Sequence, residues 1–471
     1  MNIALISICS EGSLTSTIPD KYKDLSLGYY PPLGLMYLAA YLRDRSSHRA
    51  EIIDAEVEGL NMAALTSRLL KDGPGAVGFY TTSFNIHLVY GAVSALRAAG
   101  LTVPIILGGP HVELFPEETA GLRGVTCAVA GEGEETLAEL LDAFERGGDL
   151  SAVKGVSHAA AGRIISAPPR PMLEKLDDLP FPARRLTRYD RYYSVIGRDN
   201  VSTSLMTSRG CPYRCNFCFV QYGGRYRTRS AENILAEIED CLALGIREFF
   251  FFDELFTGDR RRVMEFCSVV ARRGLRITFD IRSRVDTVDE EMLRLLKRAG
   301  CVRIQYGIES GTEEILRAMN KRITLEQTRK AVAATKRAGM DVLLDFMIGY
   351  PGESAEQIGR TVDFSIELDP SFVQYGIVTL FPGTRIYADA LANGTISEDF
   401  WRKTARMPRG PVVPPFASGT FDRPVLEGML RKAYLRFYFR PGYILRRLAG
   451  VGSPLALRRQ MKAGWNLLRG N

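Results

Sequence analysis

From Ser202 onwards one punctuation repeats down the chain: a helical stretch, a glycine, and after a residue or two an apolar run. Gly245, Gly274, Gly300 and Gly339 close the helices, and the runs Glu248–Phe252, Arg276–Ile281, Val302–Gly307 and Val342–Gly349 follow. Glycine just past a helix end takes the left-handed backbone conformation that stops the helix, so the repeats set a β-α register. Thr324-Leu-Glu-Gln327 and Ser354-Ala-Glu-Gln357 read as capping boxes opening two of the helices. With runs at Ser202–Ser208 and Phe372–Thr379 the count reaches six units. The prediction is a partial (βα)6 TIM-like barrel, with its working end at the carboxyl ends of the strands.

A different series precedes it. Strands are predicted at Ile3–Ile8, Ala50–Ile53, Ala76–Tyr80, Pro104–Leu107 and Thr126–Ala130. Helical patterns at Leu33–Arg45, Asn61–Leu70, Ile86–Ala99 and Glu134–Arg146 lie between them. Such alternation implies right-handed crossovers and a parallel sheet. Five strands suit an α/β doubly wound, flavodoxin-like domain that binds ligands at the carboxyl ends of its strands. The segment from Cys9 to Pro32 is too long for an ordinary βα loop and is expected to cover a ligand. Five prolines between Ser166 and Tyr193 suggest an extended linker. The expected domains are therefore 1–165 (doubly wound), 166–195 (linker), 196–395 (barrel) and 396–471 (helical C-terminal region).

A hydrophobic content of 46% with 24% charged residues is ordinary for a soluble globular chain. No secretory leader and no long uncharged apolar stretch is visible, so the expected location is cytoplasmic. Eight cysteines are too few for a disulfide framework in 471 residues. The charge is concentrated at the end. From Arg423 onwards eleven Lys or Arg face one Glu, which by itself exceeds the whole chain's net +7. Leu426, Met429, Leu430, Ala433, Phe437 and Tyr438 recur there at helical spacing, and the apolar-and-basic pattern continues towards Trp465. Such helices suit either a cap on the barrel or a peripheral site on the inner face of a membrane. No nucleic-acid motif accompanies the basic residues.

After the first barrel strand the chain reads Arg209-Gly-Cys211-Pro-Tyr-Arg-Cys215-Asn-Phe-Cys218. Three thiolates at Cys-x3-Cys-x2-Cys spacing can wrap one [4Fe–4S] cube, and no fourth Cys or His follows at short range. One iron is then left for a small chelating molecule. Structural zinc uses four ligands, and the next cysteine, Cys241, falls within a predicted helix.

With that motif at the end of a barrel strand, the chain resembles the radical S-adenosylmethionine (SAM) superfamily. The resemblance implies SAM contacts from Phe217, from Asp253 or Glu254 in Phe251-Phe-Asp-Glu-Leu-Phe-Thr257, and from Arg284 in Arg282-Ser-Arg-Val-Asp286. It implies a ribose-contacting turn through Glu309 and Ser310, and a further turn at Met347-Ile-Gly-Tyr-Pro-Gly-Glu353. The domain order resembles the cobalamin-binding class, within it the subgroup of anaerobic magnesium-protoporphyrin IX monomethyl ester cyclase. Pro31-Pro-Leu-Gly-Leu-Met-Tyr-Leu-Ala39, Gly78-Phe-Tyr-Thr-Thr-Ser-Phe84, Gly108-Gly-Pro-His111 and Gly131-Glu-Gly-Glu134 carry that likeness. It implies cobalamin contacts at Thr82, Ser83, Gly108, Gly109, Gly131, Glu132 and Gly133. One position departs. Where cobalamin domains with an axial histidine have Asp-x-His-x-x-Gly, this chain has Asp54-Ala-Glu-Val-Glu-Gly59, with Glu56 in place of the imidazole. Bound cobalamin is expected without a histidine ligand. His111 and Cys9 lie near ligand-facing strand ends, and the remaining histidines read as packing or surface residues.

The expected function is cobalamin-dependent methyl transfer to a hydrophobic or lipid-like substrate, begun by reductive SAM cleavage. The expected reductant is a flavodoxin or ferredoxin. The alternatives are oxidative or ring-forming radical chemistry, and a cobalamin or cluster sensor without turnover.

Overall fold

The computed structural model describes residues 1–8, 28–194, 197, 199, 201–219, 224–416 and 419–449. Cys9, most of the expected covering loop, and the chain from residue 450 with Trp465 lie outside the described residues. Two compact units are present.

The described residues of the first unit come from the opening strand, Pro31–Tyr192 and Glu398–Val413. Its strands are β1 (Asn2–Ser7), β2 (Arg49–Asp54), β3 (Ala76–Tyr80), β4 (Ile105–Gly108), β5 (Cys127–Val129), β6 (Val156–Ala160) and β7 (Arg163–Ser166). They hydrogen-bond in the order β2-β1-β3-β4-β5-β6-β7. The first five are parallel, in the flavodoxin-like order expected from the alternation. Alternate side chains serve opposite faces. Ala4, Ile6, Val77, Phe79, Ile105 and Leu107 pack under Met62–Asp72 and Ile86–Ala98. Ile3, Leu5, Ala76, Ile106 and Cys127 pack under Leu33–Arg45 and Gly133–Arg146. Burial on both faces explains why these strands read as continuous apolar runs.

Two expectations about this unit are corrected, and one element is added to it. The antiparallel β6–β7 hairpin was not anticipated; it turns on Ala161 (φ 50°) and Gly162 (φ 76°). The turn takes two positive-φ residues but carries Ala where Asn or Asp would have flagged it. The proline-rich stretch is no free linker. Leu176, Leu179 and Ala183 are buried, Ala183 N–H donates to Met36 O at 3.0 Å, and the chain stays with this unit through Tyr192. The region from 396 is not one C-terminal domain either. Glu398–Val413 returns to the first unit, where Trp401 is fully buried with its ring 5.4 Å from Phe84.

The second unit holds six parallel strands in sequential order: β8 (Ser202–Leu205), β9 (Glu248–Phe251), β10 (Thr278–Ser283), β11 (Cys301–Glu309), β12 (Asp341–Ile348) and β13 (Phe372–Ile377). Among the described residues β8 and β13 do not pair, so the barrel is partial. Both capping boxes form as predicted, on Thr324 with Gln327 and on Ser354 with Gln357. Along β11, Ile304, Tyr306 and Ile308 are buried towards the helices, while Arg303 and Gln305 point into the barrel.

The helix Arg423–Tyr438 spends its apolar face on this barrel, which corrects the membrane reading for that segment. Leu426, Leu430, Ala433 and Phe437 are buried. Tyr434 Oη accepts from Tyr375 N at 3.1 Å and donates to Tyr375 O at 2.9 Å; Tyr438 Oη does the same with Val373 at 3.0 and 2.7 Å. Four helical residues rise about 6.0 Å and two strand residues about 6.6 Å, so the hydroxyls meet alternate peptides of the outer edge of β13. Arg436 of this helix pairs with Asp363 at 2.6 Å, and Arg440 just beyond it with Asp369 at 3.2 Å.

Candidate active site

The three thiols sit on a loop held at both ends. Ser208–Arg209 pairs antiparallel with Arg227–Thr228 at its base. Gly210 (φ 88°) lies so close to the Arg225 carbonyl that a Cβ there would collide with backbone. Asn216 N–H donates to Met319 O at 2.9 Å, its side chain to Ala318 O at 2.8 Å, and Asn320 Nδ2 to Arg214 O at 2.6 Å. Sequence reasoning missed these two asparagines, because a loop clamp carries no spacing signal.

Cys211 and Cys215 are half-buried and Cys218 is exposed. Lost hydration holds the Cys211 thiol above the ordinary range, and the charge of Cys215 adds to this. Three thiolates so placed need positive charge among them. Among the described residues their sulfurs do not form a set lying within 4.8 Å of one another, as one ion would require. An iron–sulfur cube, larger than an ion and cationic in its metal core, fits the donor set.

Around the loop stand the expected SAM residues, and the structure separates them. Asp253 is fully buried and committed within the fold. Its oxygens accept Thr207 N–H at 2.6 Å, the Thr207 hydroxyl, and Ser208 Oγ at 2.7 Å, with Arg262 at 3.7 Å. Glu254 is exposed and accepts the Gly210 N–H at 3.3 Å. Arg284 is buried; it pairs with Asp286 at 2.9 Å, donates to Lys321 O at 2.8 Å, covers the Tyr213 ring at 3.7 Å and reaches Cys215 Sγ at 3.9 Å. Glu309, at φ 77° beside a bulge in the β11–β12 pairing, is ion-paired with buried Lys321 at 2.8 Å. Ser310 is fully buried, with its hydroxyl 3.2 Å from Thr312 Oγ1 and 3.3 Å from Thr361 Oγ1. Phe217 is half-buried, 5.8 Å from Lys321 Nζ. The turn after β12 is tied by Glu353, whose buried carboxylate accepts Gly349 N–H at 2.7 Å and Tyr350 N–H at 3.1 Å. Burial pushes that carboxyl up to about 7.

In the first unit the expected cobalamin residues gather at the carboxyl ends of β3, β4 and β5. Several of their groups are already used. Thr82 Oγ1 accepts Asn85 N–H at 3.2 Å, Ser83 Oγ lies 3.0 Å from His111 Nδ1, and Glu132 accepts Leu173 N–H at 2.8 Å. His111 is fully buried, and among the described residues its Nε2 has no hydrogen-bond partner. At Gly109 a Cβ would sit 2.7 Å from Thr81 O, so this glycine lets two strand ends approach. Gly108 and Gly133 are half-buried, and Gly131 is exposed with open space beside its backbone. At the end of β2, Asp54 is buried and accepts the Tyr192 hydroxyl at 2.9 Å; burial pushes its carboxyl up to about 6. Glu56 is exposed, and no imidazole stands at that position. The open strand ends suit a large cofactor, and the donor set suits one without a nitrogen ligand from the protein there.

Comparison with known proteins agrees with this geometry. Residues 205–365 match the radical SAM superfamily and residues 24–141 the B12 binding domain. The chain is 34% identical over 423 residues to an uncharacterised methyltransferase of Pyrococcus horikoshii, covering 88% of this chain and 89% of that one. This chain belongs to the B12-binding radical SAM family. Within the family it is 25% identical over 426 residues to the anaerobic magnesium-protoporphyrin IX monomethyl ester cyclase of Rubrivivax gelatinosus, covering 88% and 75% of the two chains. The radical SAM methyltransferase TsrM of Kitasatospora setae, solved with cobalamin and a [4Fe-4S] cluster, shares the fold at a TM-score of 0.73 and 17% identity, covering 100% of this chain and 98% of that one. The family is one of enzymes whose cofactors are the cluster, SAM and cobalamin. Here Cys211, Cys215 and Cys218 are the residues that would hold the cluster.

Proposed function

We propose that this radical SAM enzyme transfers a methyl group to an unreactive carbon of a hydrophobic, lipid-like substrate. The similarity over 423 residues to a methyltransferase carries the reading. Bound together, the cofactors supply the radical and the methyl group, while the protein holds and orients them. In this reading Glu254, not the committed Asp253, faces the SAM amino group, and Phe217 and Glu309 flank the nucleoside. Arg284 and Ser310 act by fixing the cluster loop and the ribose turn. A flavodoxin or ferredoxin supplies the electron. Anaerobic incubation with dithionite and SAM deuterated in its methyl group should give 5′-deoxyadenosine and a labelled apolar product. Deoxyadenosine without label would favour ring formation or oxidation, the reading supported by the likeness to the cyclase. No deoxyadenosine would favour a sensor.

Bound cobalamin should be base-off and without histidine, given Glu56 at the ligand position. The electron paramagnetic resonance spectrum of the cob(II)alamin form should lack axial nitrogen splitting; clear splitting would overturn this.

Membrane attachment narrows to the segment beginning at Pro441. Ile444 and Leu445 there are 39% and 68% exposed, beside Arg446. The full chain should bind anionic liposomes in a salt-sensitive way, and a form truncated after Arg440 should lose that binding. Equal sedimentation of the two forms would remove the membrane from the account. No helix among the described residues is long and apolar enough to cross one.

A further inference from the structure

Among the described residues Arg282, Arg284, Arg303 and Lys321 bring positive charge to the barrel interior and its rim, and three of them form an ion pair with a carboxylate. Arg303 pairs with Asp280, Arg284 with Asp286 at 2.9 Å and Lys321 with Glu309 at 2.8 Å. Arg282 has none. Among the described residues its guanidinium makes no ion pair or hydrogen bond; it lies 4.8 Å from the ring centroid of Phe252 and is exposed. Alternation along β10 places it inside the barrel with Asp280, while Phe279 and Ile281 are buried on the other side.

Its neighbours form two unlike walls. On the next strand, Gln305 stands in register with Arg282 and donates from Nε2 to Asp345 Oδ2 at 2.7 Å. The other carboxyl oxygen, Asp345 Oδ1, is buried and has no partner. Burial, and after it the charge of Glu309, pushes the Asp345 carboxyl up to about 7, while the charge of Arg282 acts in the opposite sense across a separation too long for an ion pair. On the opposite flank Phe250 and Phe252 meet the Tyr30 ring edge-on at 5.3 and 5.5 Å. A cation left without an anion beside an aromatic wall, where every neighbouring cation is paired, is arranged for an anion that arrives from outside.

We propose that Arg282 binds an anionic group of the substrate, with the Gln305–Asp345 pair taking an adjacent polar hydrogen and Tyr30, Phe250 and Phe252 holding the apolar body. Resting on the methyl-transfer reading, this makes the substrate an apolar acid, a carboxylate or phosphate ester, rather than a neutral lipid. The probes are 4-phenylbutyrate, 4-phenylbutyl phosphate, 4-phenylbutanol and 4-phenylbutylamine, titrated calorimetrically into cluster- and cobalamin-loaded protein saturated with SAM. At least one acid should bind about tenfold more tightly than the alcohol and the amine, as one charge-assisted pair allows. The stronger acid identifies the anion. Arg282→Gln should abolish the preference and Arg282→Lys should keep part of it. No preference, or no binding of any probe, overturns the proposal. So does an Arg282→Gln variant that keeps the preference, or one that loses SAM affinity tenfold, because Arg282 would then serve the methionine carboxylate. Deoxyadenosine formation by the unaltered enzyme in the same preparation tests the methyl-transfer reading separately.

Discussion

Replacing Cys215 by alanine is expected to leave the protein folded and without its cluster. The loop does not depend on the Cys215 side chain for its shape. It is fixed by the Ser208–Arg209 pairing, by Asn216 on Ala318 and Met319, and by Asn320 on Arg214. Two remaining thiolates would leave two irons of a cube without protein ligands, and the cube should not persist. Iron content after anaerobic reconstitution should fall from roughly four per chain to near zero, with the brown absorbance lost. Deoxyadenosine formation should vanish with it, while the circular dichroism spectrum is retained. Cys267→Ala is the control: that thiol is buried in the helix Arg260–Arg272, and its loss should leave iron content unchanged. A Cys215→Ala protein that kept its full iron would sink the assignment.

The second large effect separates two adjacent carboxylates. Asp253→Ala should destabilise the second unit by about 3–5 kcal/mol, the usual cost of removing one side of a buried charged network. It strips acceptors from Thr207 N–H, Thr207 Oγ1 and Ser208 Oγ, and leaves the buried Arg262 guanidinium without its nearby carboxylate. Because Thr207 and Ser208 lead directly into the cluster loop, iron retention should fall as well. Glu254→Ala removes an exposed side chain that accepts only backbone N–H groups, so stability should change by less than about 1 kcal/mol. Its effect should appear in SAM affinity instead. Urea unfolding and SAM titration of the two variants provide the check. Equal stability loss in both, or unchanged SAM affinity in Glu254→Ala, would reverse the division of roles.

Much of this architecture was legible because it is written in local rules. Both capping boxes and the helix-ending glycines are backbone requirements, and the doubly wound order followed from apolar runs alternating with helical patterns. The three cysteines proposed for the cluster stood out because thiols that share one small inorganic core can sit close together in sequence. What stayed hidden was decided by distant partners. Asp253 and Glu254 are indistinguishable by type and spacing, yet one is consumed by Thr207, Ser208 and Arg262 from elsewhere in the fold. Trp401 gave no sign that the chain would return to the first unit, since its partner Phe84 lies more than three hundred residues earlier. The apolar stripe from Leu426 to Phe437 fits a lipid surface or a protein surface equally well. Only the neighbouring strand decides between them.

That strand gives the tyrosines a wider meaning. An outermost strand normally exposes a row of peptide groups ready to accept another strand, whether from a second molecule or from an aggregate. Here the row is answered by phenol hydroxyls, each both donating and accepting, so β13 ends the sheet without recruiting a seventh strand. A barrel finished in this way can stay incomplete, because its last strand has its outward peptide groups satisfied without a further strand. Losing both hydroxyls in Tyr434→Phe with Tyr438→Phe would then show first as self-association of the folded protein, and only afterwards as lost turnover.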